Sequence, residues 1–330
     1  MTRLMITLLA SIGLISTALG QGAFESWEEK MLAGNYDSAA SQALGIATLH
    51  ESSSVWAYRT AAAYAMAGEL NKAMAWLETS AERGYSGVRT FETDADIDVL
   101  RPLPAFVDVL ARVNANAAER IDVFKAAAKD AEPVMIRPRG HDSEKPTPLL
   151  IALHGTGGTG KATARQWRGA AARAGAILIA PDAIRPSGNG YAWVFRDESE
   201  WYVEDLIEQA KKDYTIGPVI LAGFSQGANI AMAMGRSHPD LLDAVIPVCG
   251  HWEDDAAAMP RDATGPNWYL MIGERDPWVA TNTSAERALD EAGMDAELRV
   301  LPRLGHQVPP TRTLYEALSW CLDRGESDED

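Results

Sequence analysis

The spacing of hydrophobic residues changes near position 130 and divides the chain into two parts. Between residues 21 and about 130, alanine and larger apolar residues recur three or four positions apart, which is typical of amphipathic helices. After residue 131, short apolar runs alternate with longer segments of helical spacing. The runs predict strands at 134–137, 149–153, 176–180, 219–222, 244–249, 268–272 and 298–301. The longer segments predict helices at about 162–174, 200–213, 226–237, 282–292 and 312–322.

This alternation of strand and helix predicts the architecture of the second part. Parallel strands need a crossover connection, and a helix is the usual one, so residues 131–324 are expected to form a doubly wound, mostly parallel α/β domain. In such sheets the functional side chains lie on loops at the carboxyl ends of the strands. The acidic segment that follows, 325–330, is expected to be a disordered tail.

The first 20 residues have the features of a secretory signal. Arg3 precedes an apolar run, and the small residues Ala18 and Gly20 occupy the positions that a signal peptidase recognises. The run is shorter than the roughly 20 residues that a membrane-spanning helix needs. We therefore expect cleavage before Gln21, a secreted or periplasmic protein, and no stable membrane span.

The helical segment 21–130 repeats itself at an interval of 34 residues. Gly34 corresponds to Gly68 and Ala39 to Ala73, which places a glycine in each turn and a small alanine where paired helices approach. The segment thus resembles tetratricopeptide repeats, with an alanine-rich bundle of other ancestry as the alternative. About two repeats are present, fewer than a free-standing array needs. We expect these helices to pack on the second domain or to bind a peptide or protein partner.

Charge and cysteine content exclude several functions. The net charge of −16 opposes binding to nucleic acid or to an anionic membrane surface. The two cysteines, Cys249 and Cys321, have no metal-ligand spacing and lie in apolar surroundings, which favours two buried thiols over a disulfide. No metal site is predicted.

A nucleophile elbow is predicted at Ser225. The serine lies between Gly223 and Gly227 in the pattern G-x-S-x-G, after the predicted strand 219–222 and before the predicted helix 226–237. A strand that turns at once into a helix forces its turning residue into a strained conformation, and the glycines remove side chains that would clash there. The hydroxyl is then exposed at the helix N-terminus, where the dipole favours an adjacent oxyanion.

A serine nucleophile needs a base, and the base needs an orienting acid. Asp276 follows the predicted strand 268–272, and His306 follows the predicted strand 298–301. The order Ser225, Asp276, His306 is that of the α/β-hydrolases. Competing acids are Glu274 and then Asp182, and the competing histidines have less suitable positions: His50, His141, His154, His238 and His251.

A glycine-rich loop at His154 to Gly158 follows the predicted strand 149–153 and predicts an oxyanion hole. The amide of Thr156, or that of Gly157, is expected to face the developing oxyanion, with the amide of Gln226 as the second donor. A phosphate-binding loop is the alternative, but position 162 is alanine and lacks the hydroxyl that holds magnesium.

Four segments together resemble the phospholipase/carboxylesterase family of small α/β-hydrolases, namely LIALHGTGG, AGFSQGANIAM, IGERDPWV and LGH. They are similar too to secreted feruloyl-esterase and polyhydroxybutyrate-depolymerase-like esterases. The resemblance covers about residues 131–324 and implies the α/β-hydrolase fold, here preceded by a small all-α domain. It implies an ester or thioester hydrolase with Ser225 as nucleophile, His306 as base and Asp276 as orienting acid, and no cofactor.

The same resemblance implies that residues 185–201 border an acyl pocket. Tyr191, Trp193 and Phe195 then either line this pocket, with Trp193 binding the substrate, or pack as ordinary core aromatics.

The sequence therefore predicts a secreted serine hydrolase that acts on small-molecule carboxylic esters. Two alternatives remain at this point. A serine peptidase of the prolyl-oligopeptidase type shares the triad, and a non-catalytic protein could use the helical repeats for binding and the hydrolase domain as a scaffold.

Overall fold

The computed structural model describes residues 26–252 and 265–325. The predicted signal at 1–20, and all but the first residue of the predicted tail at 325–330, lie outside these ranges. Contacts divide the chain into two compact units, with the boundary between Ala126 and Ala127. Within the described ranges, no helix is both long enough and apolar enough to cross a membrane.

The first unit is all α-helical, as its spacing of apolar residues predicts. Its helices are α1 (described from 26 to 32), α2 (Tyr36–Leu49), α3 (Ser54–Met66), α4 (Leu70–Glu82), α5 (Val88–Thr93) and α6 (Pro104–Ala128), with a 3-10 helix at Ala95–Leu100. Helix α3 packs against both α2 and α4. Alanines make this close approach possible, because their small side chains are fully buried between the helices: Ala39, Ala43, Ala61 and Ala73.

The 34-residue interval recurs in the boundaries of these helices. Helix α2 begins at Tyr36 and α4 at Leu70. Each follows a turn in which a glycine, Gly34 or Gly68, has a φ of +75° or +80°, which other residues adopt only at a cost. The assignment of the unit to the tetratricopeptide class stays a prediction.

The second unit contains a seven-stranded sheet in the order β1-β3-β2-β6-β7-β8-β9. The edge strand β1 is antiparallel to β3, and all other neighbours are parallel. The strands are β1 (Val134–Ile136), β2 (Thr147–Leu153), β3 (Ile177–Ala180), β6 (Ile216–Phe224), β7 (Ala244–Val248), β8 (Asn267–Gly273) and β9 (Ala296–Leu301). The predicted strands are therefore present, with ends shifted by a few residues.

Helices cover both faces of this sheet, as the continuous apolar runs of its strands require. The helices are α7 (Gly160–Ala174), α8 (Arg196–Asp213), α9 (Gln226–Ser237), α10 (Val279–Glu291) and α11 (Thr311–Gly325). Leu150 and Ala152 of β2 share a buried cluster with residues of α7 and α11. Leu153 points to the opposite face and lies against Gly227 of α9.

A short antiparallel hairpin between β3 and α8 was not predicted. Its strands are β4 (Arg185–Ser187) and β5 (Gly190–Ala192). The two residues between them, Gly188 and Asn189, form a turn in which Gly188 has a φ of +60°. A Gly-Asn pair of this kind is a hairpin signal, but the three-residue strands are too short to show alternation.

Because the strands are parallel, β6, β7, β8 and β9 end at the same edge of the sheet. The loops that follow them carry Ser225, Cys249, Asp276 and His306. This edge positions the candidate site.

Candidate active site

Ser225 occupies the sharp turn between β6 and α9. Its backbone has a φ of +53° and a ψ of −117°, a region that residues with a side chain rarely adopt. A Cβ on Gly223 would lie 2.2 Å from the carbonyl oxygen of Gly227, and a Cβ on Gly227 would lie 2.6 Å from that of His154. Both glycines are therefore required by the close packing of the turn.

Backbone hydrogen bonds hold Ser225 in this conformation. Its amide donates to the carbonyl of Val248 at the end of β7, at 2.9 Å, and its carbonyl accepts from the amide of Asn229 in α9, at 3.0 Å. The strained turn is thus fixed by the sheet on one side and by the helix on the other.

The structure brings Ser225, His306 and Asp276 into one chain of hydrogen bonds. Nδ1 of His306 lies 2.8 Å from Oδ2 of Asp276, and Nε2 lies 2.9 Å from Oγ of Ser225. An ionised carboxylate only accepts hydrogen bonds, so Nδ1 carries the imidazole proton and Nε2 is left as an acceptor for the serine hydroxyl. This is the tautomer that a general base needs.

The surroundings of the acid and of the base differ. The Asp276 side chain is completely buried, whereas 36% of the His306 side chain is exposed. The other carboxylate oxygen of Asp276, Oδ1, accepts from the amide of Trp278 at 3.0 Å. The rings of Phe224 and Trp278 each lie 5.1 Å from the imidazole ring of His306, which restricts its rotation.

The loops that carry the acid and the base are joined to each other. The amide of Glu274 donates to Leu301 at 2.9 Å, and that of Arg275 donates to Leu304 at 2.8 Å. A Cβ on Gly273 would lie 2.4 Å from the carbonyl oxygen of Gly305. Glycine at 273 thus lets the two loops approach.

The competing acids have other partners. Glu274 is exposed, and its Oε2 accepts from the amide of Arg303 at 2.8 Å. Oδ1 of Asp182 accepts from the amide of Gly160 at 2.6 Å, which holds the start of α7.

Two of the competing histidines also have identified neighbours. Nε2 of His238 lies 2.7 Å from Oε1 of Glu204. The ring of His251 packs edge-on against Trp278, with 5.5 Å between the ring centroids. Neither interaction brings a second base to Ser225.

His154 is buried and holds the glycine-rich loop. Its Nε2 accepts from the amide of Ala183 at 3.0 Å, so Nδ1 carries the proton and donates to the carbonyl of Gly155 at 2.7 Å. Burial lowers the pKa of His154, which keeps the ring neutral. The loop also passes close to the serine, since a Cβ on Gly155 would lie 3.2 Å from that of Ser225.

The sequence left two amides of this loop as alternatives for the oxyanion hole. The amide of Gly157 donates to the carbonyl of Tyr191 at 2.8 Å and is therefore occupied. The amide of Thr156 has no acceptor within the part of the chain that the structure describes. Gln226 is the first residue of α9, where a backbone amide has no acceptor inside the helix. Thr156 and Gln226 thus remain as the candidate donors.

Trp193 is only 2% exposed and is held by two hydrogen bonds. Its indole Nε1 donates to the carbonyl of His154 at 2.9 Å, and its amide donates to Oε1 of Gln226, also at 2.9 Å. Of the two roles considered for this tryptophan, the burial and the hydrogen bonds favour packing over substrate binding. The tryptophan connects the glycine-rich loop to the elbow helix, and the sequence pattern gave no signal of that connection.

Cys249 is a further residue at this edge whose neighbours the sequence did not identify. Its sulfur, the Asp276 carboxylate and the His306 imidazole offer ligand atoms within 4.8 Å of one another. The carboxylate and the imidazole hydrogen-bond to each other, and burial raises the pKa of the Cys249 thiol to about 12, so the thiol carries its proton. Both cysteines are buried free thiols, as predicted.

Several solved structures are similar to parts of this chain at low sequence identity. No curated protein matches the sequence. A crystal structure of an uncharacterized protein from Bacillus cereus is 17% identical, with a TM-score of 0.50 over 94% of this chain and 99% of that one. Esterase PE8 is 24% identical, with a TM-score of 0.49 over 58% of this chain and 98% of that one. A carboxylesterase from Mesorhizobium loti is 16% identical, with a TM-score of 0.49 over 57% and 94%.

A family model described as alpha/beta hydrolase fold matches residues 148–302. The matched range runs from β2 to β9 and includes the elbow, the glycine-rich loop and the loop of Asp276. With its mostly parallel sheet and helices on both faces, the second unit of this protein has the α/β-hydrolase fold.

Proposed function

We propose that this protein is a serine hydrolase that cleaves carboxylic esters through an acyl-enzyme. The observation that carries the proposal is the chain of hydrogen bonds from Ser225 through His306 to Asp276, with the serine on a strained turn at the start of a helix. A strained, partly exposed serine that is hydrogen-bonded to an imidazole of the required tautomer is the arrangement that activates a hydroxyl for acyl transfer.

The geometry supports a defined sequence of steps. Oγ of Ser225 attacks the carbonyl carbon of the ester while Nε2 of His306 takes the hydroxyl proton. Asp276 stabilises the imidazolium, and the amides of Thr156 and Gln226 stabilise the tetrahedral oxyanion. The imidazolium then protonates the departing alcohol, which leaves the acyl group on the serine. Water, activated by the same imidazole, cleaves this acyl-enzyme and restores the serine.

The choice of esters as the substrate class rests on sequence motifs. The segments around His154, Ser225, Asp276 and His306 together resemble the phospholipase/carboxylesterase family. A peptidase of the prolyl-oligopeptidase type would use the same three residues, so the substrate assay has to separate the two classes.

Turnover of short p-nitrophenyl esters and of peptide anilides tests this proposal directly. We expect ester turnover without anilide turnover, and a loss in Ser225→Ala on the order of the million-fold seen when serine proteases lose their triad. Ser237→Ala, at the other end of α9, is the matched control and should keep full activity. Ester turnover that survives Ser225→Ala would refute the proposal, whereas turnover of anilides alone would identify a peptidase.

A fluorophosphonate probe provides a second test that needs no substrate. The adduct should map to the peptide that contains Ser225 and should be absent from Ser225→Ala. A protein that neither reacts with the probe nor turns over esters would instead support a binding protein built on a hydrolase scaffold.

We further propose that the protein is exported and that its helical unit binds a peptide or protein. The support for export is the signal-like pattern of residues 1–20, and the support for binding is the 34-residue repeat. N-terminal sequencing of the mature protein should find Gln21 as its first residue, and an intact N-terminus in an exporting host would exclude cleavage there.

A further inference from the structure

Cys249 lies where the loops of the proposed triad meet. It directly follows β7, and its neighbour Val248 accepts the backbone hydrogen bond of Ser225 at 2.9 Å. Its own amide donates to Met271 in β8, the strand that leads to Asp276, at 2.8 Å. The backbone at this position is therefore fixed both to the elbow and to the strand that carries the acid.

The side chain of Cys249 points beneath the loop of His306. Its sulfur lies 3.7 Å from the carbonyl oxygen of Gln307 and 4.0 Å from that of Gly305, the residues on either side of the histidine. A thiol is a weak donor, and these distances suit a weak S–H···O interaction with one carbonyl at a time. The residue is only 1% exposed, so water does not compete for the thiol.

The backbone of Cys249 is strained. Its φ is +52°, and within the described ranges the only other non-glycine residues with a positive φ are Ser225 and Arg303. Glycine adopts such a conformation at little cost, whereas a residue with a Cβ does not. A side chain at this position therefore costs backbone strain, and strain beside a reactive site supports the hypothesis that the side chain has a role there.

We propose that Cys249 is a positioning residue for His306 in the ester hydrolysis proposed above. Its thiol packs beneath the two carbonyls that flank the histidine and donates to one of them at a time, so that the imidazole reaches Asp276 with one nitrogen and Ser225 with the other. Burial raises the pKa of the thiol to about 12, so the group keeps the proton that it donates and adds no negative charge beside the Asp276 carboxylate.

Three substitutions separate the effect of the thiol on activity from the effect of the backbone strain. Cys249→Ala removes the sulfur but keeps the Cβ, Cys249→Gly removes the sulfur and relaxes the backbone, and Cys249→Ser keeps a hydroxyl donor. Since small displacements of a catalytic group cost up to about 100-fold, we expect the alanine and glycine variants to lose about 10- to 100-fold in kcat with KM little changed. The serine variant should recover part of that loss.

Cys321→Ala is the matched control. Cys321 is also a buried thiol, 3% exposed, and it lies in α11 within the core of the same unit. Its truncation should lower the melting temperature as a core substitution does, without changing kcat. A purely structural role of Cys249 would give the same pattern as this control.

A spectroscopic readout makes the test independent of turnover. The proton on Nδ1 of His306, hydrogen-bonded to a buried carboxylate, should give a far-downfield proton resonance in the wild type and in Cys321→Ala. We expect this resonance to shift or broaden in Cys249→Ala and Cys249→Gly.

The proposal is overturned if both variants keep kcat within about twofold of wild type and leave the resonance unchanged. It is also overturned if their activity falls only in proportion to folded protein. Retention of ester turnover by Ser225→Ala would refute the proposed function instead. In that case the resonance alone decides: a change in Cys249→Ala supports the positioning role, and an unchanged signal overturns it.

Discussion

Replacement of Asp276 by asparagine should invert the tautomer of His306. The side-chain oxygen Oδ1 of Asp276 accepts from the amide of Trp278, while Oδ2 faces Nδ1 of the histidine. An asparagine in this site keeps its oxygen on the Trp278 amide, because the alternative places two donors together. Its NH2 group then faces Nδ1, which has to become an acceptor. The imidazole proton moves to Nε2, where it faces Ser225 and blocks proton transfer from the serine.

The expected size of the effect distinguishes this mechanism from simple loss of a contact. A hydrogen bond to a charged group contributes about 1.5–3 kcal/mol, which corresponds to about a 10- to 150-fold loss of rate. The wrong tautomer in a Ser-His-Asp triad lowers kcat about 10,000-fold, or about 5.4 kcal/mol. We expect the larger value for Asp276→Asn.

The assay is kcat on a short p-nitrophenyl ester, with the folded fraction measured in parallel. Glu274→Gln is the matched control, since this exposed carboxylate lies two residues away and accepts only the amide of Arg303 among the contacts described. Its replacement should change kcat by less than about twofold. A kcat for Asp276→Asn within about 150-fold of wild type would refute the tautomer argument. A large loss of kcat in Glu274→Gln would show that the assignment of Asp276 as the orienting acid is wrong.

Two further predictions concern the scaffold of the site. Gly227→Ala places a Cβ 2.6 Å from the carbonyl oxygen of His154, and this overpacking should lower the free energy of unfolding by about 1–3 kcal/mol. Gly45→Ala, at an open position of α2, is the control and should stabilise the chain by up to about 1 kcal/mol in chemical denaturation. Equal changes in the free energy of unfolding for the two variants would contradict the packing argument. Burial lowers the pKa of His154 below its usual 6.5, so the unfolded chain takes up a proton at this residue before the folded chain does as the pH falls. The folded state is therefore favoured above pH 6.5, and this contribution to its stability is lost as the pH falls below that value. The free energy of unfolding, measured between pH 7.5 and 4.5, should therefore fall by up to about 1.4 kcal/mol per pH unit more in wild type than in His154→Gln. His50→Gln, at an exposed histidine, is the control. Parallel curves for wild type and His154→Gln would show that His154 does not titrate in this way.

The sequence was sufficient to predict most of the fold of the second unit. Strands β2, β3, β6, β7 and β8 are continuous apolar runs because both of their faces are covered, and such runs are visible without coordinates. The hairpin of β4 and β5 was missed because three-residue strands show no period. Helix α8 also begins earlier than predicted, at Arg196, since its first turn is charged and shows no apolar spacing.

The order of the candidate triad was predictable for a topological reason. In a parallel sheet every strand ends at the same edge, so Ser225, Asp276 and His306 converge although they lie far apart along the chain. The glycines at 223 and 227 were equally visible, because only a residue without a Cβ fits such a turn.

Only the tertiary structure decided the partners of side chains whose contacts are distant in sequence. The position of the proton on Nδ1 of His154 is inferred from the hydrogen bond that the amide of Ala183 donates to Nε2. The packing role of Trp193 is inferred from its burial and its hydrogen bond to the glycine-rich loop. The placement of the Cys249 thiol beneath the His306 loop depends on β7, β8 and β9 lying side by side. Local patterns record which face of an element is buried, whereas these contacts depend on which elements pack together, and that is set by the whole chain at once.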